Sequence, residues 1–159
     1  MSSDTQKPPV RKPAAGPDRE PGVRLGYLLK HAHQRFTELA AAALAPYQLD
    51  GRELAVLGVL GGDRPTSQQS AAQRLRVDRT TMVALVDALE DKGLVVRHPD
   101  AGDRRRNLVE LTAAGRNTLE LASRVADDVE RRFLARIGEP AAQQLKNALR
   151  TLVMDMPGD

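Results

Sequence analysis

The chain contains no cysteine and no tryptophan. Without thiols there can be no disulfide, no thiolate metal site and no thiol redox sensor. Aromatic residues make up only 3% of the sequence. That is too little stacking surface for a single-stranded nucleic-acid platform. Long hydrophobic runs are missing as well. Stretches such as Leu39 to Ala45 fall far short of the roughly 18 residues of a membrane span. Before residue 23 the only apolar side chains are Met1, Val10, Ala14 and Ala15. A signal peptide needs an apolar stretch there, so the expectation is a cytoplasmic protein with no membrane partner. Catalytic signatures are absent too: there is no G-x-S-x-G, no P-loop and no H-E-x-x-H. His31 and His33 stand two apart on a helical pattern, point different ways and cannot share a metal ion. No enzyme, no cofactor and no metal site are expected.

What is present is an ordinary globular composition. The chain has 159 residues, enough for one domain, and 41% of them are hydrophobic. The formal charge is only +3, but arginine supplies most of the 24 basic residues. Its planar fork suits phosphate and guanine, although GC-rich coding favours arginine equally.

Prolines divide the chain. Pro8, Pro9, Pro13, Pro17 and Pro21 crowd the start, so residues 1–22 read as a disordered tail, with a DNA-contacting arm as the alternative. From Val23 to Ala45, apolar residues including Leu25, Leu28, Leu29, Ala32, Phe36 and Leu39 recur at helical spacing. This helix should span about 34 Å. Pro46 ends it. Asp50 and Glu53 have capping-box spacing before a helix that Gly61 and Gly62 stop. Thr66 and Gln69 mark the start of a short helix ending near Leu75, and Asp78 caps the next, which runs to Lys92. Leu94–Arg97 and Asn107–Leu111 alternate as short strands around a polar loop, His98 to Arg106. Thr112 caps a long helix to Ile137, and Pro140 opens a last one, over 139–156.

Two short helices with a tight turn, followed by a hairpin with a basic tip, have the order of a winged helix-turn-helix. The expected fold is mainly α with a small β-hairpin wing. The winged unit covers 46–112, and the long helices 23–45 and 113–156 lie outside it. Subtracting the apolar face of the helix after Asp78 leaves Arg79, Thr80, Val83, Ala84 and Asp87 exposed. Arg79 at the first turn suits guanine or phosphate, the hydroxyls of Thr80 and Thr81 suit phosphate or base edges, and Val83 suits a thymine methyl. The alternative is a plain amphipathic surface helix. Arg104, Arg105 and Arg106 at the end of a two-stranded arm favour DNA, because such an arm can reach a narrow minor groove. Residues 74–106 hold nearly as many carboxylates as basic groups, so placement of the arginines carries the reading, not net charge.

The run from Val77 to Arg97 resembles the recognition helix and first wing strand of MarR-family regulators. Asp103-Arg-Arg followed after five residues by Leu111-Thr112 resembles the family's D-x-R…L-T wing signature. The resemblance covers roughly residues 23–155. It implies a homodimer that binds a palindromic operator in double-stranded DNA, often as a ligand-relieved repressor, with Arg105 entering the minor groove. Val83 and Ala84 depart from the polar residues the family often has there. The resemblance also implies a pocket for a small organic effector near helices 23–45, 51–61 and 113–137, where His33, Arg35 and Tyr47 are candidates. A constitutive repressor with a filled core is the alternative to a ligand switch. A winged helix used only for protein contacts is the alternative to a DNA binder. His33 reads equally as an interface histidine, and Tyr47 as core packing.

The apolar stripes of the two outer regions exceed what a compact helix-turn-helix can bury. Pairing with a second copy by two-fold symmetry is therefore expected.

Overall fold

A computed structural model describes residues 24–62, 64–100, 102 and 107–154. The tail over 1–22 and the hairpin tip with Arg104, Arg105 and Arg106 lie outside the described residues. Among those described, six helices and a three-stranded antiparallel sheet follow the order α1, α2, β1, α3, α4, β2, β3, α5, α6.

α1 covers Leu25–Leu44 and closes in a single 3₁₀ turn, Ala45–Tyr47, at Pro46. α2, Gly51–Leu60, starts with the capping box that its spacing predicted. The Asp50 carboxylate accepts from the amides of Arg52 and Glu53, both at 2.8 Å, and Glu53 Oε2 accepts from the Asp50 amide at 3.0 Å. α3 covers Gln68–Leu75 and α4 covers Arg79–Asp91. The wing strands are β2, Val95–Pro99, and β3, Asn107–Leu111, paired from Val95 opposite Leu111 to Pro99 opposite Asn107. α5 covers Ala113–Leu134, and α6 covers Glu139–Met154.

Several boundaries differ from the sequence reading. Thr66 does not cap α3. It lies in β1, Thr66–Ser67, opposite Val109 of β3. Ser67 takes the cap instead, its Oγ accepting from the Ser70 amide at 3.1 Å. A β-branched residue that finds a strand partner is pulled out of the helix, and two residues are too few to show a period. β2 begins one residue late, since the Leu94 amide is still bonded to the Leu89 carbonyl at the end of α4, and it runs on to Pro99, which pairs with Asn107. α5 stops at Leu134, and Ala135–Ile137 tighten into a 3₁₀ turn before Gly138.

The chain divides into two compact units, one ending at Arg35 and one beginning at Phe36. In the first, the described residues form the opening turns of α1 and are all exposed, Leu25, Tyr27, Leu28 and Leu29 among them. The Tyr27 and His31 rings lie 4.1 Å apart, one helical turn along.

The second unit holds the core. Val56 and Leu57 of α2, Ala71 of α3, Val86 and Leu89 of α4, and Val109 of β3 are fully buried together. Phe36 meets Phe133 edge to face, with centroids 5.4 Å apart, so the later turns of α1 pack on α5. Glu53 is the one buried charged residue among those described. Lys92 answers it: Nζ lies 2.5 Å from Glu53 Oε1 and also donates to the Gln48 carbonyl at 2.7 Å. A buried carboxylate needs such a partner. The pair fastens the end of α4 to the start of α2.

Candidate nucleic-acid interface

The turn between α3 and α4 has only three residues. Arg76 adopts a left-handed conformation at φ 52, and the Val77 amide reaches back to the Ala72 carbonyl at 3.0 Å, which closes α3 in a Schellman-type end. Asp78 then starts α4. Its carboxylate accepts from the Thr81 amide at 2.9 Å and the Thr81 hydroxyl at 2.6 Å.

The Thr81 hydroxyl, and after it the Thr81 amide, hold the Asp78 carboxyl below the usual carboxylate range. A depressed pKa stabilises the fold above the unfolded value, about 4. That stabilisation is lost as the pH falls through the folded value. Asp78→Asn keeps a good cap but has nothing to titrate. Thermal melts from pH 7 to pH 3 should show the parent losing its advantage over the variant below about pH 4. Parallel curves over the whole range would remove this account of the cap.

α4 buries Met82, Val86 and Leu89 and leaves Arg79, Thr80, Val83, Ala84 and Asp87 exposed, the face expected from its periodicity. Arg79 and Thr80 stand in the first turn, clear of the core. Thr81 is half-buried, and its hydroxyl proton is already given to Asp78. Val83 is 37% exposed, an apolar spot among polar neighbours.

The wing stands beside this helix. Gly93, at φ 68, ends α4, and the Leu94 amide bonds back to the Leu89 carbonyl at 2.9 Å. β2 then leaves next to the last turns of α4. Arg104, Arg105 and Arg106 fall between Gly102 and Asn107, outside the described residues.

Sequence reasoning missed a concavity at the same place. A cavity of about 620 Å³ opens between α3, the start of α4 and the first residue of β3. Gln68, Gln73, Arg76 and Asn107 line it together with Arg79 and Val83. Gln68 Nε2 is buried there with no hydrogen-bond partner among the described residues. The available signal was the run of uncharged polar side chains at 67, 68, 69 and 73 on a very short helix. Arg76 also donates to the Val153 carbonyl near the end of α6, at 2.9 Å.

The three effector candidates are placed differently. Tyr47 is half-buried and packs against the core. His33 and Arg35 are exposed on α1, in the first unit, whereas Tyr47 belongs to the second. Among the described residues, no group of three or more His, Asp or Glu side chains is arranged to hold a metal ion. No described helix is long and apolar enough to cross a membrane.

Known proteins share this arrangement. The sequence pattern of the MarR family matches residues 47–106, from Tyr47 through the hairpin tip. The transcriptional regulator HosA of Escherichia coli is 32% identical over 92 residues, 57% of this chain and 68% of HosA. The chain belongs to the MarR family. A second family relative, the HTH-type transcriptional repressor NicR of Pseudomonas putida, is 34% identical over 97 residues. That match spans 61% of this chain and about three fifths of NicR. The transcriptional repressor CouR, solved on a 23-mer DNA duplex, superposes with a TM-score of 0.78 at 34% identity, over 82% of this chain and 92% of CouR. CouR from Rhodococcus jostii RHA1 has also been solved with p-coumaroyl-CoA, and that structure superposes with a TM-score of 0.74 at 26% identity, over 86% of this chain and 96% of CouR. The described residues from α2 to β3 thus have the fold of the MarR-type winged helix-turn-helix.

Proposed function

We propose that this protein is a sequence-specific transcriptional regulator that binds double-stranded DNA as a homodimer, and that it is a repressor relieved by a small organic effector. The observation that carries the reading is α4: a helix capped by Asp78 whose solvent face is Arg79, Thr80, Val83, Ala84 and Asp87, beside the paired strands β2 and β3, with Arg104, Arg105 and Arg106 falling in the sequence between those two strands. Such a helix enters the major groove while the wing reaches the adjacent minor groove. CouR on its duplex is a relative seen in the act of binding DNA.

A second copy supplies the two-fold axis that a palindrome needs. Leu25, Tyr27, Leu28 and Leu29 of α1, and Leu145, Leu152 and Val153 of α6, are all at least 39% exposed in the single chain. Helices that leave this much apolar surface uncovered are suited to an isologous interface. The effector reading draws on CouR with p-coumaroyl-CoA. Redox control through a thiol is excluded by the absence of cysteine. The protein is read as a non-enzymatic, cytoplasmic regulator on its membership of the MarR family.

Selection of duplexes from a random library tests the reading. Retained fragments should share a palindrome with half-sites about one turn, roughly 10 bp, apart. A panel of phenolic acids and their coenzyme A thioesters is then screened by thermal shift. A ligand that stabilises the protein should lower operator affinity roughly 5- to 150-fold, and operator should weaken that ligand by the same factor. Retention of fragments without any common sequence would overturn the specific-regulator reading. Ligands that bind and leave operator affinity unchanged would overturn the switch.

A further inference from the structure

Arg97 is out of place in the wing. Alternation along β2 puts residues 95, 97 and 99 on one face. Val95 on that face is buried, and Val109, which is paired with Arg97, is buried as well. The register asks for an apolar side chain at 97. An arginine stands there instead, with only 20% of its side chain exposed. A guanidinium so placed must be answered by partners.

Both partners come from α4. One terminal nitrogen of Arg97 pairs with Glu90 and the other with Asp87. The Arg97 amide also donates to Glu90 Oε1 at 3.3 Å. Asp87 belongs to the exposed face of α4, the face read above as the one turned to DNA. The two arms of the fork and the Arg97 amide thus tie the base of the wing, at three points, to the last two turns of the helix. Lysine has no second arm with which to do this.

We infer that Arg97 is a positioning residue that fixes the angle between wing and recognition helix, and that it cancels the charge Asp87 would otherwise present to phosphates. This rests on the DNA-binding reading. The wing arginines and α4 address neighbouring grooves. Without the fork, β2 is held against α4 by the turn at Gly93 and by apolar packing at Val95, and the outer pairs of β2 and β3 are less firmly placed relative to the helix. Looser placement costs operator affinity, because both grooves must be met at once. Both terminal nitrogens of Arg97 are engaged by carboxylates of α4, so its role in this inference is to hold the wing, not to contact phosphate.

Two variants and two readouts test this. Arg97→Met keeps the apolar stem and loses the fork. Asp87→Asn with Glu90→Gln keeps the arginine and loses its charged partners. Hydrogen exchange of the amides in 95–99 and 107–111, measured without DNA, should quicken in both variants relative to the amides of α2. Affinity for the selected operator should fall roughly 5- to 30-fold in both. Affinity for a scrambled duplex should fall far less in the methionine variant and should rise in the double variant, which has lost two negative charges. Arg97→Lys should recover part of the operator affinity.

Unchanged exchange in the wing strands overturns the inference, whatever DNA does. Tighter operator binding by the double variant overturns it too, and makes Arg97 a phosphate contact held in reserve. If the parent retains no duplex at all, the DNA-binding reading fails and takes the affinity half of the inference with it. Quickened exchange in that case still leaves the fork as the element that orders the wing.

Discussion

Raising the salt concentration from 50 to 200 mM should weaken operator binding by about a thousandfold. At +3 per chain, the protein has no strong overall field to hold DNA. Attraction has to come from basic groups in the right places: Arg79 at the first turn of α4 and Arg104, Arg105 and Arg106 in the wing, doubled in a dimer. A protein that neutralises 6–10 phosphates loses about 10³ to 10⁵ in affinity over that salt range, because each neutralised phosphate had released a counterion. The lower end applies here, since Arg79 suits a guanine edge as well as a phosphate. Arg105→Ala in both subunits should reduce the slope of log affinity against log salt by about two and cost roughly 1–3 kcal/mol for each desolvated contact. Fluorescence anisotropy with a labelled operator at four or five salt concentrations measures both quantities. A slope that Arg105→Ala leaves unchanged would mean that the wing does not meet the DNA.

Gly115→Ala should destabilise the fold by about 3 kcal/mol or more, although helix propensity alone favours alanine over glycine by about 1 kcal/mol. Gly115 lies in the first turn of α5, where its amide donates to Thr112 Oγ1 at 3.0 Å. The Thr112 hydroxyl in turn donates to the Gly93 carbonyl at 2.7 Å, and its amide donates to Leu94. This stitches α5 against the turn between α4 and β2. A Cβ at 115 would sit 1.9 Å from the Leu94 carbonyl oxygen and 2.9 Å from its carbon. Those are backbone atoms at the root of the wing, so relief requires the whole helix to withdraw. Withdrawal breaks the Thr112–Leu94 hydrogen bond and opens the core at Leu94 and Leu111. Gly58→Ala is the control: it lies in α2, where an added Cβ meets nothing within 4 Å, and it should stabilise by roughly 0.5–1 kcal/mol. Denaturant melts of the two variants should shift in opposite directions. A midpoint for Gly115→Ala at or above that of the parent would show that the close approach is not rigid.

Much of this architecture could be read from spacing. Asp50 with Glu53, Asp78 with Thr81, and Thr112 with Gly115 are all three residues apart, and each pair forms the helix start that its residue types call for. The exposed face of α4 followed directly from removing its apolar positions. These contacts are local. A side chain that caps its own helix meets the same backbone amides in any fold, so residue type and separation find it wherever no strand partner competes, as one does at Thr66.

Other features depend on which segments meet in space. Thr66 reads as a helix cap until β3 offers it a strand partner 43 positions later. Arg97 reads as one more basic residue near a wing until α4 brings Asp87 and Glu90 to its fork. Lys92 and Glu53 are 39 positions apart, and no periodicity connects them. Gly115 reads as a weak point in a helix until Leu94 is seen against it. Periodicity and capping rules carry information over three or four residues along one element. The partner of a buried charge and the space beside a Cα are set by the packing of different elements, and they exist only once the chain has folded.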